Sequence, residues 1–245
     1  MKALIFAAGL GTRLKPITDT IPKALVPVMG KPLLEHIILK LKKEGFNEII
    51  VNVHHFPDQI IDFIQSNDAF GIRIAISDER DELLDTGGGI SNTAWFFDDN
   101  QPFLVHNVDI LSNANLKELY DKHVHADTLA TLLVSERNTF RHLLFDEQNL
   151  LQGWINEKTG ETKPAGLSNI ESYRKLAFAG IQMLNPEVFE HMKNFGDKFP
   201  VMDFYLSFAG TGKIAGYTPS NFQMLDIGKL DVIEGIEKNG LEYYL

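Results

Sequence analysis

Over its first 135 residues the chain alternates short apolar runs with stretches of helical periodicity, and this alternation restricts the possible folds more than any other feature of the sequence. The runs ALIFAA (3–8), EIIVNV (48–53) and PFLVHN (102–107) have the length and composition of buried strands. Strands joined through helices are generally parallel, with right-handed crossovers that place helices on both faces of the sheet. The sequence therefore predicts an α/β fold that is Rossmann-like, with a mixed, mainly parallel sheet.

Amphipathic periodicity places helices between these strands. Leu34, Ile37, Ile38 and Leu41 follow the i, i+3, i+4, i+7 rule, and Gly45 can cap the end of this helix. From about residue 140 the pattern loosens, and we expect this part to complete the sheet and cover a site within one domain over residues 1–245. The further predicted elements are helices over 57–66, 89–97, 116–124, 187–193, 202–208 and from Lys229, and strands over 72–76, 128–134, 143–145, 150–155 and 176–184.

The charge distribution favours a small anionic ligand over a nucleic acid. The net charge of −10 disfavours binding to a polyanionic backbone. Residues 1–43, in contrast, contain eight Lys or Arg and only two acidic residues, so positive charge is concentrated at the start of the chain.

Zero cysteines exclude disulfides and thiolate metal sites and fit a reducing cytoplasm, where we expect the protein to reside. No apolar run approaches the ~20 residues of a membrane span, so no membrane partner is expected. The eight histidines form no H-x-x-H or H-x-x-x-H pattern, which argues against a zinc site.

A glycine-rich turn follows the first predicted strand, at the sheet edge where open α/β folds bind ligands. Gly9 and Gly11 permit a close backbone approach, so successive N–H groups can point at phosphate oxygens. The stretch is neither a dinucleotide fingerprint, because Leu14 stands in place of the third glycine, nor a Walker A loop. Taken alone it is as typical of a tight turn. The loop that follows is stiffened by four prolines and carries Arg13 and Lys23, and we expect it to be exposed.

The stretch GLGTRLKPITDTIPKALVPVMGKP (9–32) resembles the signature G-x-G-T-R-(L/M)-x-P-x-T-x-x-x-P-K-x-(L/M)-x-P-(V/I)-x-x-x-P of sugar-1-phosphate nucleotidyltransferases, and it matches at every signature position. The resemblance implies a glycosyltransferase-A-like fold and an enzyme that makes an NDP-sugar and pyrophosphate from an NTP and a sugar 1-phosphate. It also implies nucleotide binding by Ala8, Gly9, Gly11 and Thr12, and catalytic roles for Arg13 and Lys23.

Members of this family bind Mg²⁺ through an Asp after a central strand and a second Asp near the C-terminus. The segments FLVHNVDI and FQMLDIGKL supply Asp109 and Asp226 at these places. Each Asp taken alone is more typical of a turn or a helix cap, and metal binding is favoured only in combination with the opening motif. Val108 stands where many relatives have Gly, which puts the local turn in doubt.

The segment LLDTGGGI (83–90) resembles the base-reading loop of the family, and the resemblance implies nucleotide contacts by Asp85, Thr86, Gly87 and Gly88. Three glycines before ISNTAWFF can also simply begin a helix. The T-G-G-G form is most similar to the branch of N-acetylmuramate-1-phosphate uridylyltransferases and mannose-1-phosphate guanylyltransferases.

The sequence gives weaker indications of which residues bind the sugar 1-phosphate, the acceptor of the nucleotidyl group. The segment LAFAGIQML resembles the family strand that lines the sugar pocket, which makes Gly180 a candidate contact. A second family Lys corresponds to Lys158 or Lys163, and the sequence does not choose between them. Arg137 and Arg141 are equally consistent with phosphate contacts and with solvated surface charges.

The resemblance favours uridylyl transfer from UTP to N-acetylmuramate 1-phosphate or a similar sugar. The alternatives are GTP-dependent guanylyl transfer to mannose or heptose 1-phosphate, and a catalytically inactive sugar-nucleotide sensor. Relatives with further activities carry a C-terminal left-handed β-helix, and we expect this chain to be a catalytic core without one. The oligomeric state is left open.

Overall fold

The computed structural model describes residues 1–240. The strands are β1 (Lys2–Phe6), β2 (Pro27–Val28), β3 (Lys31–Pro32), β4 (Glu48–Val53), β5 (Arg73–Asp78), β6 (Phe103–Asn107), β7 (Ile110–Ser112), β8 (Ala130–Ser135), β9 (Arg141–Phe145), β10 (Leu151–Asn156), β11 (Glu161–Lys163), β12 (Arg174–Leu184), β13 (Ile214–Tyr217) and β14 (Met224–Asp226). The helices are α1 (Leu33–Lys43), α2 (Pro57–Ser66), α3 (Asp85–Ser91), α4 (Leu116–Val124), α5 (Val188–Met192), α6 (Val201–Ser207) and α7 (Leu230–Asn239).

A central mixed sheet organises the molecule. Its main path runs β11-β10-β9-β12-β6-β1-β4-β5, and β8 pairs with β12 and β13. The strands β6, β1, β4 and β5 are mutually parallel, whereas β12 is antiparallel to β6, β8 and β9. Two small ribbons, β2-β3 and β7-β14, lie outside this sheet. The predicted α/β fold with a mixed sheet is confirmed.

Side chains that alternate along the strands build a core on each face of the sheet. On β1, Ala3 and Ile5 join the core that contains α1, α2, α4 and α7, whereas Leu4 joins the core that contains α3, α5 and α6. Alternation of this kind follows from the two-residue period of a strand. Helices therefore cover both faces, as predicted.

The predicted helices over 57–66 and 116–124 have the bounds of α2 and α4. The helix predicted over 89–97 is wrong in its bounds, because α3 begins at Asp85 and ends at Ser91. The hydroxyl of Thr93 donates to the carbonyl of Ile90 (2.6 Å), a local bond that competes with continuation of the helix. The following Phe96 and Phe97 are both buried in turns rather than in a helix.

Residues 241–245, and with them the end of the expected domain, lie outside the described residues. The expectations of a single domain and of a catalytic core without a β-helix remain predictions. Among residues 1–240, no helix is long and apolar enough to cross a membrane.

Candidate functional site

A cavity of about 250 Å³ opens at the carboxyl ends of the parallel strands β1, β4 and β6. Parallel strands end at one edge of the sheet, which brings residues distant in sequence to the same place. The cavity is lined by Phe6, Ala8, Gly9, Lys23, Asn52, Leu83, Asp85, Thr86, Asn107, Val108 and Asp109. Five of the predicted site residues are among them: Ala8, Gly9, Lys23, Asp85 and Thr86, with the predicted metal ligand Asp109 as a sixth.

The opening loop folds back on the glycine-rich turn. Gly11 has a φ of 64°, and a Cβ on it would lie 2.8 Å from Thr18 Cγ2 and 3.1 Å from Lys23 Cβ. The Thr18 hydroxyl donates to the Gly11 carbonyl (2.8 Å), as does the Leu14 N–H (2.8 Å). Only glycine fits this position without strain. The tight packing places Lys23 beside the turn, while Thr12 and Arg13 lie on its exposed side.

Lys23 is held in the cavity wall by an ion pair. Its Nζ donates to the carboxylate of Asp109, and the two side chains are 11% and 19% exposed. The expectation of an exposed loop is therefore wrong for this residue, because Ala24 and Val26 anchor the loop in the core and draw Lys23 inward. A partly desolvated ammonium group is a stronger electrostatic partner for a phosphate than one in bulk water.

Asp226, on the C-terminal ribbon, and Arg13, on the opening loop, lie close together outside the cavity lining. Asp226 pairs with Ile110 across the β7-β14 ribbon, and the neighbouring Ile227 N–H donates to the Asp109 carbonyl (2.8 Å). A Cβ on Gly228 would lie 2.8 Å from Asp226 Oδ1 and 3.0 Å from Arg13 Nη2. The glycine thus makes room for a guanidinium and a carboxylate side by side.

Asp109 and Asp226 are the two carboxylates that the resemblance implies as magnesium ligands, a number that fits a metal ion shared with a phosphate ligand. Among residues 1–240 no group of three or more His, Cys, Asp or Glu is arranged to hold a metal. Mg²⁺ commonly takes one or two carboxylates and completes its octahedron with phosphates and water. Asp109 directly precedes β7 and Asp226 pairs with Ile110 across the ribbon, and the binding of one metal ion by both carboxylates remains a prediction. Val108 is accommodated in the core (4% exposed), and its N–H donates to the Phe6 carbonyl (3.1 Å).

A buried network that the sequence did not predict connects two walls of the cavity. Asn52 Oδ1 accepts the N–H groups of Ala7 (2.8 Å) and Ala8 (3.3 Å), and Asn52 Nδ2 donates to Glu79 Oε1 (2.8 Å). Glu79 Oε2 accepts the Leu84 N–H (3.2 Å). Burial raises the pKa of the Glu79 carboxyl. The one feature of the sequence that indicates this network is the polar Asn52 within the apolar run EIIVNV.

The segment from Asp85 to Gly88 divides between the cavity and the protein interior. Asp85, with a φ of 63°, and Thr86 line the cavity, and Thr86 Oγ1 accepts the Val201 N–H (2.9 Å). The N–H groups of Gly87 and Gly88 donate to the Phe199 carbonyl (2.8 and 3.3 Å). Packing of Gly87 against Phe199 and of Gly88 against the Asp197 carbonyl therefore explains these glycines, and base recognition by them remains a prediction.

Gly180 lies at an irregularity in β12 between Phe178 and Gln182, with a φ of 74°. A Cβ there would lie 2.9 Å from Asn107 Nδ2 and 2.9 Å from Ile110 Cγ1. The glycine permits β12 to pass directly behind a cavity-lining residue. Its contact with a sugar remains a prediction.

A second cavity of about 420 Å³ lies between β9, β10 and α6. Lys163, Arg137 and Arg141 line it, so the structure brings together three of the four cations proposed for the acceptor side. Lys158 is outside this lining and lies in the turn between β10 and β11.

The sequence profile of the family described as "Nucleotidyl transferase" matches residues 2–198. The chain is 30% identical over 250 residues to a UTP–glucose-1-phosphate uridylyltransferase of Synechocystis sp., covering 94% of this chain and 61% of the relative. It is 29% identical to an N-acetylmuramate alpha-1-phosphate uridylyltransferase of Caulobacter vibrioides, covering 91% and 90%. It is 31% identical to a mannose-1-phosphate guanyltransferase of Kluyveromyces lactis, covering 78% and 51%. The chain thus spans only part of the length of some curated relatives.

A solved structure described as HddC from Yersinia pseudotuberculosis complexed with GMP-PN superposes with a TM-score of 0.76 over 97% of this chain and 98% of the other, at 24% identity. At this identity the likeness establishes the fold, which is shared with the nucleotidyltransferases.

Proposed function

Because the chain belongs to the nucleotidyl transferase family, we propose that it transfers a nucleotidyl group from an NTP to a sugar 1-phosphate, which yields an NDP-sugar and pyrophosphate. The observation that carries the proposal is the ion pair of Lys23 and Asp109 in the cavity under the glycine-rich turn. A phosphate in this cavity would lie close to the buried ammonium group of Lys23 and to the carboxylate of Asp109, a group that commonly binds Mg²⁺.

Nucleotidyl transfer requires two anionic groups to be held in line, so positioning and positive charge do most of the work. An oxygen of the sugar phosphate attacks the α-phosphorus, a P–O bond forms, and the bond to the β-phosphate oxygen breaks with release of pyrophosphate. No covalent enzyme intermediate is required.

In the proposed reaction Lys23 neutralises the α-phosphate or the incoming sugar phosphate. Arg13, which is exposed, contacts the departing β,γ-phosphates, and Gly9, with no atom near the position of a side chain, leaves the backbone accessible to the phosphates. Asp109 and Asp226 would hold Mg²⁺, which would supply charge neutralisation between the phosphates. In this proposal the base lies between the apolar side chains of Phe6 and Leu83, which line the cavity, and Asp85 and Thr86 contact its edge.

Uridylyl transfer to N-acetylmuramate 1-phosphate is the favoured reaction, and guanylyl transfer to mannose or heptose 1-phosphate is the alternative. The Caulobacter relative, which aligns over 90% of its own length, supports the former, and the Kluyveromyces relative supports the latter. A sugar-nucleotide sensor without activity would have no need for the proposed metal pair, Asp109 and Asp226. We place the reaction in the cytoplasm, with no nucleic acid or membrane partner.

The test is pyrophosphate release across a matrix of NTPs and sugar 1-phosphates. We expect UTP to be the best donor, with dTTP next because it shares the uracil edge. We also expect EDTA to abolish the reaction until Mg²⁺ is restored.

Asp109→Asn and Asp226→Asn should each remove most activity, whereas Asp62→Asn, on the exposed face of α2, should not. Faster turnover with GTP would replace the uridylyl assignment, and activity that persists in EDTA would contradict the metal site.

A further inference from the structure

The N–H groups at the start of the glycine-rich turn divide into those that the protein binds and those that it leaves free. The N–H groups of Ala7 and Ala8 both donate to Asn52 Oδ1 (2.8 and 3.3 Å). Among residues 1–240, the next three N–H groups, those of residues 9–11, have no hydrogen-bond acceptor. Successive free N–H groups of a turn form a concave site for an anion. The point at which Asn52 holds the chain therefore determines which N–H groups remain for a ligand.

The orientation of the Asn52 carboxamide is fixed by Glu79. Asn52 Nδ2 donates to Glu79 Oε1 (2.8 Å), and Glu79 Oε2 accepts the Leu84 N–H (3.2 Å). Asn52 and Glu79 are only 2% and 3% exposed, so water does not compete for these groups. An ionised carboxylate accepts hydrogen bonds and donates none. Glu79 therefore draws the NH₂ group of Asn52 to itself and leaves the carboxamide oxygen for the turn.

The Asn52–Glu79 pair also contacts the segment that begins α3. A Cβ on Gly89 would lie 3.1 Å from Glu79 Oε1 and 3.3 Å from Asn52 Nδ2, so the backbone of α3 packs directly on the pair. Leu84, which donates to Glu79, immediately precedes Asp85 in the lining of the first cavity. The pair thus touches both the turn on one side of this cavity and the segment on the other.

We propose that the Asn52–Glu79 pair positions the NTP, because it holds the turn so that the N–H groups of residues 9–11 face the phosphates while the base lies beside Asp85 and Thr86. The inference rests on the proposed function, which places an NTP in this cavity. The carboxamide and the carboxylate are both engaged with protein groups, so the pair acts through the turn and through α3. A buried polar network fixes one geometry only when all its members are satisfied.

The experiment exchanges the two groups. Asn52→Asp places two carboxylates in contact, and Glu79→Gln directs an NH₂ group at either the Asn52 NH₂ or the Leu84 N–H. The double variant Asn52→Asp/Glu79→Gln restores the pattern. Its new amide donates to the new carboxylate and accepts the Leu84 N–H, and the new carboxylate still accepts from Ala7 and Ala8.

Kinetics with UTP and with GTP are measured at about pH 8, where a proton shared between two carboxylates is least available. Each single variant should raise the KM for the NTP about tenfold or more, while the KM for the sugar 1-phosphate changes little. The double variant should return the KM for the NTP to near the wild-type value, a rescue that pairwise coupling predicts. Asn47→Asp, the same chemical change at an exposed position before β4, is the matched control and should behave as wild type.

Single variants with an unchanged KM for the NTP would overturn the inference, as would a double variant that is folded by circular dichroism but keeps the defect of the single variants. If a single variant does not fold, the comparison of the double variant with the wild type decides in the same way.

Calorimetric titration with UTP and with GTP, each with Mg²⁺ and without acceptor, separates this inference from the proposed function. NTP binding that is weakened in the single variants and restored in the double variant supports the inference even if no nucleotidyl transfer is found, an outcome that would contradict the proposed function alone. Turnover in which the single variants bind the NTP as tightly as the wild type would contradict the inference alone.

Discussion

At the scale of single residues, Lys23 and Asp109 depend on each other. Each is largely removed from water, and each is the other's charged partner. Loss of one leaves an uncompensated charge in the cavity wall, which is costlier than loss of a surface pair. The geometry therefore links the proposed phosphate site to the stability of the opening loop.

Lys23→Ala should lower kcat by about a hundredfold or more, the scale of losing one preorganised electrostatic contact of about 3 kcal/mol. It should also lower the free energy of unfolding, because the Asp109 carboxylate remains partly buried without its cation. Steady-state kinetics and urea denaturation measure the two effects. Lys15→Ala, which removes an exposed lysine paired with Asp19, is the control and should change neither. Near wild-type turnover would remove Lys23 from the mechanism.

We expect Glu79 to position residues of the proposed nucleotide cavity, because its two carboxylate oxygens accept hydrogen bonds from the Asn52 side chain and the Leu84 N–H. In Glu79→Gln an amide NH₂ must face one of these donors, which costs about 1–3 kcal/mol. We expect the KM for the NTP to rise about tenfold while the KM for the sugar 1-phosphate changes little. Glu82→Gln, an exposed change in the same segment, should behave as wild type. An unchanged KM for the NTP would leave Glu79 with a purely structural role.

At the scale of elements, α3 is shaped by its contact with the segment before α6. A Cβ on Gly88 would lie 2.1 Å from the Asp197 carbonyl oxygen, and a Cβ on Gly87 would lie 2.2 Å from the Phe199 ring. Glycine is required because other atoms occupy the space of a side chain, although it weakens a helix by about 1 kcal/mol relative to alanine.

Gly88→Ala should therefore destabilise the protein by about 1–3 kcal/mol, the usual cost of overpacking, although alanine is the better helix former. Thermal or urea unfolding measures the change. Gly9→Ala is the control for stability, since no atom lies within 4 Å of the position that its methyl group would take. A Gly88→Ala variant that is more stable than the wild type would contradict this expectation. It would mean that the backbone around Asp197 moves to accommodate the methyl group without loss of stability.

The elements and the site differ in how far the sequence predicts them. Strong periodicity predicts the bounds of α2 and α4, because an amphipathic face of three turns has few alternative interpretations. The bounds of α3 were missed, since its glycines carry no periodic signal and their reason is a tertiary contact. The sequence does not predict the roles of Asn52 and Glu79 for the same reason. Both roles depend on hydrogen bonds between residues more than 20 positions apart in the chain.

At the scale of the whole molecule, stability depends on buried groups that must remain neutral. Burial lowers the pKa of His106 to about 4 and that of His123 to about 4, against an ordinary value of 6.5. Between pH 6.5 and 4 the unfolded chain binds protons at these positions and the folded chain does not. Stability therefore falls as the pH falls through this window.

From pH 7 to pH 5 each histidine should remove about 2 kcal/mol of unfolding free energy, measured by urea denaturation at the two pH values. His123→Asn should lose about 2 kcal/mol less unfolding free energy between pH 7 and pH 5 than the wild type does. This difference is expected even if the substitution changes the stability at pH 7. The exposed His125 is the control, and His125→Asn should keep the wild-type dependence. A pH dependence that survives in His123→Asn without reduction would contradict the assignment.

The central claim, that one site joins an NTP to a sugar 1-phosphate, is tested most directly by the stoichiometry of a single reaction. Wild-type protein, UTP, Mg²⁺ and N-acetylmuramate 1-phosphate are incubated, and pyrophosphate and NDP-sugar are quantified by mass spectrometry with each substrate omitted in turn. We expect one NDP-sugar for each pyrophosphate and neither product when a substrate is missing. Pyrophosphate without an acceptor, or inorganic phosphate in place of pyrophosphate, would contradict the claim.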